Sequence, residues 1–154
     1  MEHEITNLMD FILKLLKQED IIATCSAKVE EPYIYINFKT QQINKLIGYH
    51  GKNINNLQII AHIFMSKLGL RSYKIQLDVD DYREKRREQL IKLAKYAYNQ
   101  ALNKQIRYQL PAMPSFERRI IHNILKEKNG IQSFSSGNRN KRYITVVPNK
   151  LFDK

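Results

Sequence analysis

Two consecutive α+β units, residues 1–79 and 80–154, are predicted by three features of the sequence. Apolar residues alternate between helical and strand spacing in a run that closes near Val79 and then begins again. The charge steps at the same place: residues 1–79 hold 9 Lys and Arg against 8 Asp and Glu, and residues 80–154 hold 17 against 7. A chain of 154 residues has room for one full domain or two small ones. A coding bias toward Lys, Asn and Ile is the plainer account of the charge. It would raise Lys everywhere, however, and would not favour Arg, which gathers after residue 80.

The first unit reads helix, strand, strand, helix, helix, strand. Ile5, Leu8, Met9, Ile12, Leu15 and Leu16 recur at helical spacing over 5–17. Ile21, Ala23, Cys25, Ala27 and Val29 alternate as a strand, Glu30-Glu31-Pro32 turns the chain, and Ile34, Ile36 and Phe38 alternate again, which predicts a hairpin. Thr40 stands where a cap for a short helix holding Ile43, Leu46 and Ile47 is expected. Ile54, Leu57, Ala61, Phe64 and Leu68 mark a longer helix that Gly69 ends. Tyr73, Ile75, Leu77 and Val79 form a third strand.

In the second unit Asp80-Asp81 opens a helix running to about Lys104, with Leu90, Ala94, Ala97, Tyr98 and Ala101 as its buried stripe. Residues 106–110 are read as a short strand, and Pro111 and Pro114 break the chain. A helix over 115–126 carries Phe116, Ile120, Ile121, Ile124 and Leu125, with Gly130 at its end. Residues 131–135 and 143–147 are two strands joined by the polar segment 136–142.

Composition excludes several classes. Apolar residues at 43% suffice for a core, so the chain is not a disordered tail. A net charge of +11 favours a polyanionic partner. A single cysteine rules out a disulfide framework and a cysteine-built zinc site, and fits a reducing compartment. The N-terminus lacks a basic leader, and no segment approaches the roughly 18 apolar residues of a membrane span. A cytoplasmic location is therefore expected, with no membrane insertion.

Between the two middle helices of the first unit lies Leu46-Ile47-Gly48-Tyr49-His50-Gly51-Lys52-Asn53-Ile54. A G-x-x-G loop that feeds a helix N-terminus can receive a phosphate on free N–H groups and the positive end of the dipole. Glycine lets a nucleic acid come close, and Lys52 adds a cation. The spacing alone is equally that of a plain helix–helix turn with Gly48 as a C-cap.

The segment resembles a KH domain, whose signature Ile-Gly-x-x-Gly-x-x-Ile is matched by Ile47, Gly48, Gly51 and Ile54. The element order is similar to the bacterial, type II form. The resemblance implies that about four single-stranded nucleotides are clamped on the loop and an adjoining apolar groove. Gly48, Tyr49, His50, Gly51 and Lys52 would form the clamp, and Ile47 and Ile54 would support the groove. The two middle positions are often basic in relatives; here they are Tyr49 and His50.

In the second unit Arg118 and His122 stand four residues apart, on one face of one helix. A guanidinium and an imidazole so placed can hold a phosphate and a base. For the pair alone an ordinary amphipathic helix is the plainer reading. The odds shift because the unit also carries Arg83, Lys85, Arg86, Arg87, Arg107, Arg119, Arg139, Lys141 and Arg142. The stretch from Met113 to His122 resembles an R-3-H domain, which binds single-stranded nucleic acid. That resemblance makes Arg118 and His122 expected contacts, and the basic neighbours Arg119, Lys141 and Arg142 are expected to join them. Pro114-Ser115 departs from the usual polar residue followed by proline.

A KH unit followed directly by an R-3-H unit resembles the bacterial Jag family, also called KhpB or EloR, over roughly residues 20 to 148. Many relatives have an extra N-terminal domain and charged linker, where this sequence has only a short helix before its first strand. The resemblance implies RNA binding, a link to cell elongation and division, and pairing with a small single-KH protein.

Catalysis is not expected. His3, His50, His62 and His122 form no ligand spacing with each other or with Cys25. His62 is read as structural and Cys25 as a buried, inert thiol. Asp78, Asp80 and Asp81 are read as a strand end and helix start rather than as part of a nuclease centre with His122. No cofactor or metal is implied. Tyr33 and Tyr35 share one sheet face and serve either packing or a stacking or partner surface. The expectation is a non-catalytic single-stranded RNA-binding protein acting after transcription. A protein-interaction module and a single-stranded DNA binder are the alternatives.

Overall fold

Each apolar run becomes an element that can bury one face. The structure, a computed structural model, describes residues 1–151, so residues 152–154 at the end of the second expected unit lie outside the described residues. The chain forms two compact units, Met1–Tyr82 and the residues from Arg83 on. The fold is mixed helix and strand throughout, as the periodicity predicts.

In the first unit α1 (Glu2–Gln18) buries Ile5, Leu8, Ile12 and Leu16, a stripe at three- and four-residue spacing. β1 (Thr24–Glu30) and β2 (Tyr33–Lys39) form an antiparallel hairpin whose turn contains a cis Glu31–Pro32 bond. β2 pairs in parallel with β3 (Lys74–Val79), giving the sheet order β1-β2-β3. A parallel pair needs a crossover, and α2 (Ile43–Ile47) and α3 (Lys52–Lys67) supply it. Ile34, Ile36 and Phe38 meet Ile75, Leu77 and Val79, and with Leu8, Ile12, Leu46, Ile54 and Met65 they form one core. Gly69 follows α3 as expected: its N–H donates to the Ser66 carbonyl at 3.2 Å, and the Leu70 N–H donates to that of Met65 at 3.0 Å.

In the second unit α4 (Tyr82–Lys104) buries Leu90, Ala94, Ala97 and Ala101. β4 (Tyr108–Gln109), β5 (Ile131–Ser136) and β6 (Tyr143–Pro148) make an antiparallel sheet of order β4-β6-β5. Its core joins α4 to Ile121 and Leu125 of α5 (Ser115–Lys126) and to Leu110, Met113, Ile144 and Val146.

Several local expectations are corrected. β1 starts at Thr24 rather than Ile21, and of its residues only Cys25 is even partly buried. It is an edge strand, and the inner face of β2 and β3 takes the core, so alternation in β1 does not bring burial. The Cys25 thiol is accordingly half-buried rather than enclosed. Thr40 does not cap α2. Gln42 is the N-cap residue, and the Thr40 hydroxyl accepts from the Gln42 N–H at 3.1 Å and donates to the Ile22 carbonyl at 2.6 Å. Asp80 and Asp81 do not open α4; both have left-handed φ (49° and 54°) and turn the chain sharply before Tyr82. α5 ends at Lys126, so Gly130 belongs to the turn into β5. His62 has no structural burial: α3 turns it to solvent.

Candidate nucleic-acid interface

The glycine loop is a single turn of 3-10 helix, Tyr49–Gly51, between α2 and α3. Gly48 has φ 71° and ψ −178°, a conformation essentially confined to glycine. A Cβ there would lie 2.5 Å from the Asn53 Cγ. Asn53 is packed so closely because its Nδ2 donates to the Lys45 carbonyl at 2.9 Å, tying the first turn of α3 to the last turn of α2. Sequence reasoning missed this asparagine; its signal was a short amide side chain five residues after the first glycine.

The loop presents Tyr49, 76% exposed, with the His50 ring edge-on to it at 4.2 Å. His50 has left-handed backbone geometry (φ 51°). Gly51 is buried, and a Cβ on it would meet the Tyr82 ring at 3.2 Å. Lys52 is exposed at the first position of α3, a sixteen-residue helix whose dipole favours an anion at that end. Ile47 and Ile54 are both buried in the core. They anchor the two helices under the loop. The Lys45 ammonium donates to the Glu19 carbonyl at the end of α1.

On α5, Arg118 and His122 lie one turn apart. The Arg118 Nε donates to the Met113 carbonyl at 3.2 Å. Burial, and then the neighbouring Arg142 guanidinium, hold the Arg118 pKa below its ordinary value, although an arginine stays charged near neutral pH. Arg142, in the turn before β6, donates from Nη2 to the Ser135 carbonyl at 3.4 Å. His122 is engaged on both sides: Nδ1 is 2.8 Å from the Ser133 hydroxyl and Nε2 is 2.7 Å from that of Ser135. Burial first and Arg118 second push its pKa below that of a free imidazole, so the ring is neutral at pH 7. In the neutral ring one nitrogen donates and the other accepts, and a hydroxyl can meet either need.

The structure therefore ties His122 and Arg142 to Ser135, while Arg118, one turn from His122 on α5, feels the charge of Arg142. Both exposed, Arg119 lies about 100° around the helix from Arg118 and Lys141 sits in the turn beside Arg142. Ser133 and Ser135 were not singled out from the sequence. Their signal was small polar side chains two residues apart on a strand facing a helix. Arg86, counted among the basic neighbours, is committed to Glu117 by two hydrogen bonds at 2.7 and 2.9 Å.

Tyr33 and Tyr35 stack with centroids 5.9 Å apart on the sheet face opposite the core, and the Lys74 Nζ lies 5.3 Å from the Tyr33 ring. Among the described residues no group of three or more His, Cys, Asp or Glu side chains could hold a metal ion, and no helix is long and apolar enough to cross a membrane.

These two sites, a glycine loop in an αββααβ unit and an arginine–histidine helix on a three-stranded sheet, define a KH domain followed by an R3H domain. The family model described as "KhpA/KhpB, KH domain" matches residues 6–79, and that of the R3H domain matches residues 88–148. The chain is 34% identical over 149 residues to the RNA-binding protein KhpB of Lactiplantibacillus plantarum, covering 97% of this chain and 46% of that one. It is 29% identical over 146 residues to the RNA-binding protein KhpB of Streptococcus pneumoniae, covering 95% and 44%. Against the protein of that name from Bacillus subtilis it is 31% identical over 103 residues, covering 66% and 50%. The chain spans about half the length of these relatives. It belongs to the KhpB family.

Proposed function

We propose that the chain is a non-catalytic single-stranded RNA-binding protein whose two units, residues 1–79 and 80–154, each contribute a contact surface. The observation that carries this reading is the pairing of Arg118 with Arg142. Each is tied to a backbone carbonyl, Arg118 to that of Met113 and Arg142 to that of Ser135, and the charge of Arg142 is felt at Arg118. Such a pair is unfavourable alone and favourable once an anion sits between the guanidiniums, which suit phosphate. His122 keeps β5 seated on α5 and so positions Ser135 and, through it, Arg142.

In the first unit Gly48, Tyr49, His50, Gly51 and Lys52 form the clamp, with Tyr49 stacking on a base and Lys52 beside the backbone. Ile47 and Ile54 hold the clamp from below. Arg119 and Lys141 add electrostatic attraction around the second site. On this reading the chain works in the cytoplasm on transcripts, with the tie to cell elongation and division that family membership suggests.

The test is fluorescence anisotropy of a labelled 12-nucleotide RNA across a salt series. Tyr49→Asp with His50→Asp is expected to weaken binding. Arg118→Ala with Arg142→Ala is expected to weaken it and to flatten the salt dependence by about 0.7 in log–log slope per lost phosphate contact. Binding no better than that of a generic basic protein, unmoved by either pair, overturns the reading. Competition with a DNA oligomer of matched sequence separates RNA from single-stranded DNA.

A second surface supports pairing with a small single-KH protein. Ile59 and Ile63 on α3 are 58% and 53% exposed, and Ile60 lies beside them. Large apolar side chains on one turn of a solvent-facing helix are typical of a contact surface. Ile59→Glu with Ile63→Glu is expected to abolish co-purification of such a partner while leaving thermal stability within about 0.5 kcal/mol, as for other surface changes. Unchanged co-purification rules out this surface.

A further inference from the structure

β1 closes one side of the first unit's sheet with an open edge. Among the described residues its backbone hydrogen-bonds only to β2. At the opposite edge the Leu77 N–H of β3 donates to the Gln58 side chain of α3 at 3.1 Å. Edge strands are commonly kept from pairing by being short, bulged, interrupted by proline or charged. β1 is seven residues long, keeps one unbroken register with β2 and holds no proline. Its one lysine, Lys28, is already paired with Glu30. Cys25, Ala27 and Val29 stand across from Phe38, Ile36 and Ile34 on the core side of the sheet, yet Ala27 is exposed and Val29 is 42% exposed. Ile22, just before the strand, is 83% exposed. With Asp10, Leu13, Lys14 and Lys17 of α1 it lines an open cavity of about 660 Å³.

We propose that this edge is a dimer interface whose occupant is β1 of a second copy of the chain. The strand is complementary to itself. An antiparallel pair with its two-fold axis at Ala27 matches all seven residues: Ala27 meets Ala27, Cys25 meets Val29, Ser26 meets Lys28 and Thr24 meets Glu30. No like charges stand directly opposite each other. An axis at Lys28 would oppose the two lysines, and an axis at Val29 would draw Pro32, which has no N–H, into the ladder. The Ala27 axis also organises the residues beyond the strand. Ala23 of one copy falls across from Glu31 of the other, and Ile22 across from Pro32. Glu31 thereby arrives at the cavity that Lys14 and Lys17 line, and the proline ring covers the exposed isoleucine. The two sheets become one of six strands in the order β3-β2-β1-β1-β2-β3. The pairing itself does not need the RNA reading above; on that reading, it joins the sites of two chains and raises avidity for a long strand.

The test is sedimentation velocity of the full chain, freed of nucleic acid, over a concentration series. The wild type is expected to dimerise. Ala27→Lys sets two lysines face to face at the axis and is expected to weaken the dimer by more than about tenfold. Ala27→Glu does the same with carboxylates, and an equal mixture of the two variants is expected to associate again. Recovery on mixing cannot come from a folding defect. Cysteine cross-linking in a Cys25→Ser background reads the register. Ala27→Cys is expected to give a disulfide-linked dimer under mild oxidation, whereas Val29→Cys, whose two thiols would lie far apart along the ladder, is not. A wild type that stays monomeric at the highest concentration overturns the inference. So does a dimer that Ala27→Lys leaves intact. A dimer lost instead with Ile59→Glu and Ile63→Glu belongs to α3 and overturns it too, as does equal cross-linking of the two cysteine variants. No RNA is present, so failure here leaves the RNA reading standing, and failure of RNA binding leaves this interface standing.

Discussion

Arg86 on α4 grips Glu117 on α5 with two edges of its guanidinium: Nε donates to Oε1 at 2.7 Å and Nη2 to Oε2 at 2.9 Å. Glu117 is completely buried, and Arg86 also reaches the Gln89 side chain at 3.2 Å. The pair locks together the two helices that form one side of the second core. Glu117 immediately precedes Arg118, so the grip also fixes the azimuth of the Arg118–His122 face.

Arg86→Ala is expected to destabilise the second unit by about 3 kcal/mol, because it removes two charge-assisted hydrogen bonds from a buried carboxylate. Arg86→Lys should recover only part of this, since an ammonium cannot form the two-pronged contact. Arg86→Met with Glu117→Leu should be far milder than Arg86→Ala. Urea denaturation of the four proteins checks the order; an Arg86→Ala loss under 1 kcal/mol would discount the grip.

Gly48→Ala is expected to destabilise the first unit by about 1–3 kcal/mol, the usual strain of such a backbone conformation. The added Cβ would also displace Asn53 and break its bond to the Lys45 carbonyl. Gly51→Ala should be milder, because its φ of 78° with ψ 15° is the ordinary left-handed region and the Tyr82 ring lies 3.2 Å away. Thermal melts of both variants test the ranking; equal losses would contradict it.

His122 makes the second unit acid-sensitive. Its folded pKa is depressed, chiefly by burial, so the unfolded chain binds the extra proton more readily. Its contribution to stability is therefore fully present above the ordinary imidazole value of 6.5 and is lost as pH falls through the lower folded value. Following the imidazole resonance by NMR should give a midpoint below 6.5, and His122→Asn should flatten the stability profile between pH 7.5 and 5. A midpoint at or above 6.5 would contradict the enclosure of the ring.

The Cys25 thiol should react more slowly than a free cysteine with a disulfide reagent at pH 8. Burial first and Asp10 second raise its pKa, which lowers the thiolate fraction. Denaturant should restore the ordinary rate. Equal rates in folded and unfolded chain would mean that the half-burial of the thiol offers no protection.

Periodicity located the helices and strands to within a few residues, because each spacing pairs one face with one core. It misjudged β1 and His62 for a common reason. Alternation and apolar neighbours state what a residue can face, while burial depends on whether another layer is there. The helices lie over β2 and β3 and turn Ile59, His62 and Ile63 outward. The left-handed turn at Asp80-Asp81 was equally illegible, since aspartate suits both a helix start and positive φ.

Local sequence alone determined the glycine loop and the Arg118–His122 spacing, since both lie within a few residues along the chain, where bond geometry dictates the neighbours. Only tertiary structure decided what those residues do. Ser133 and Ser135 reach His122 from eleven and thirteen residues away, and Arg86 reaches Glu117 from thirty-one. Such contacts follow from which faces the core leaves adjacent, and no spacing along the chain encodes them.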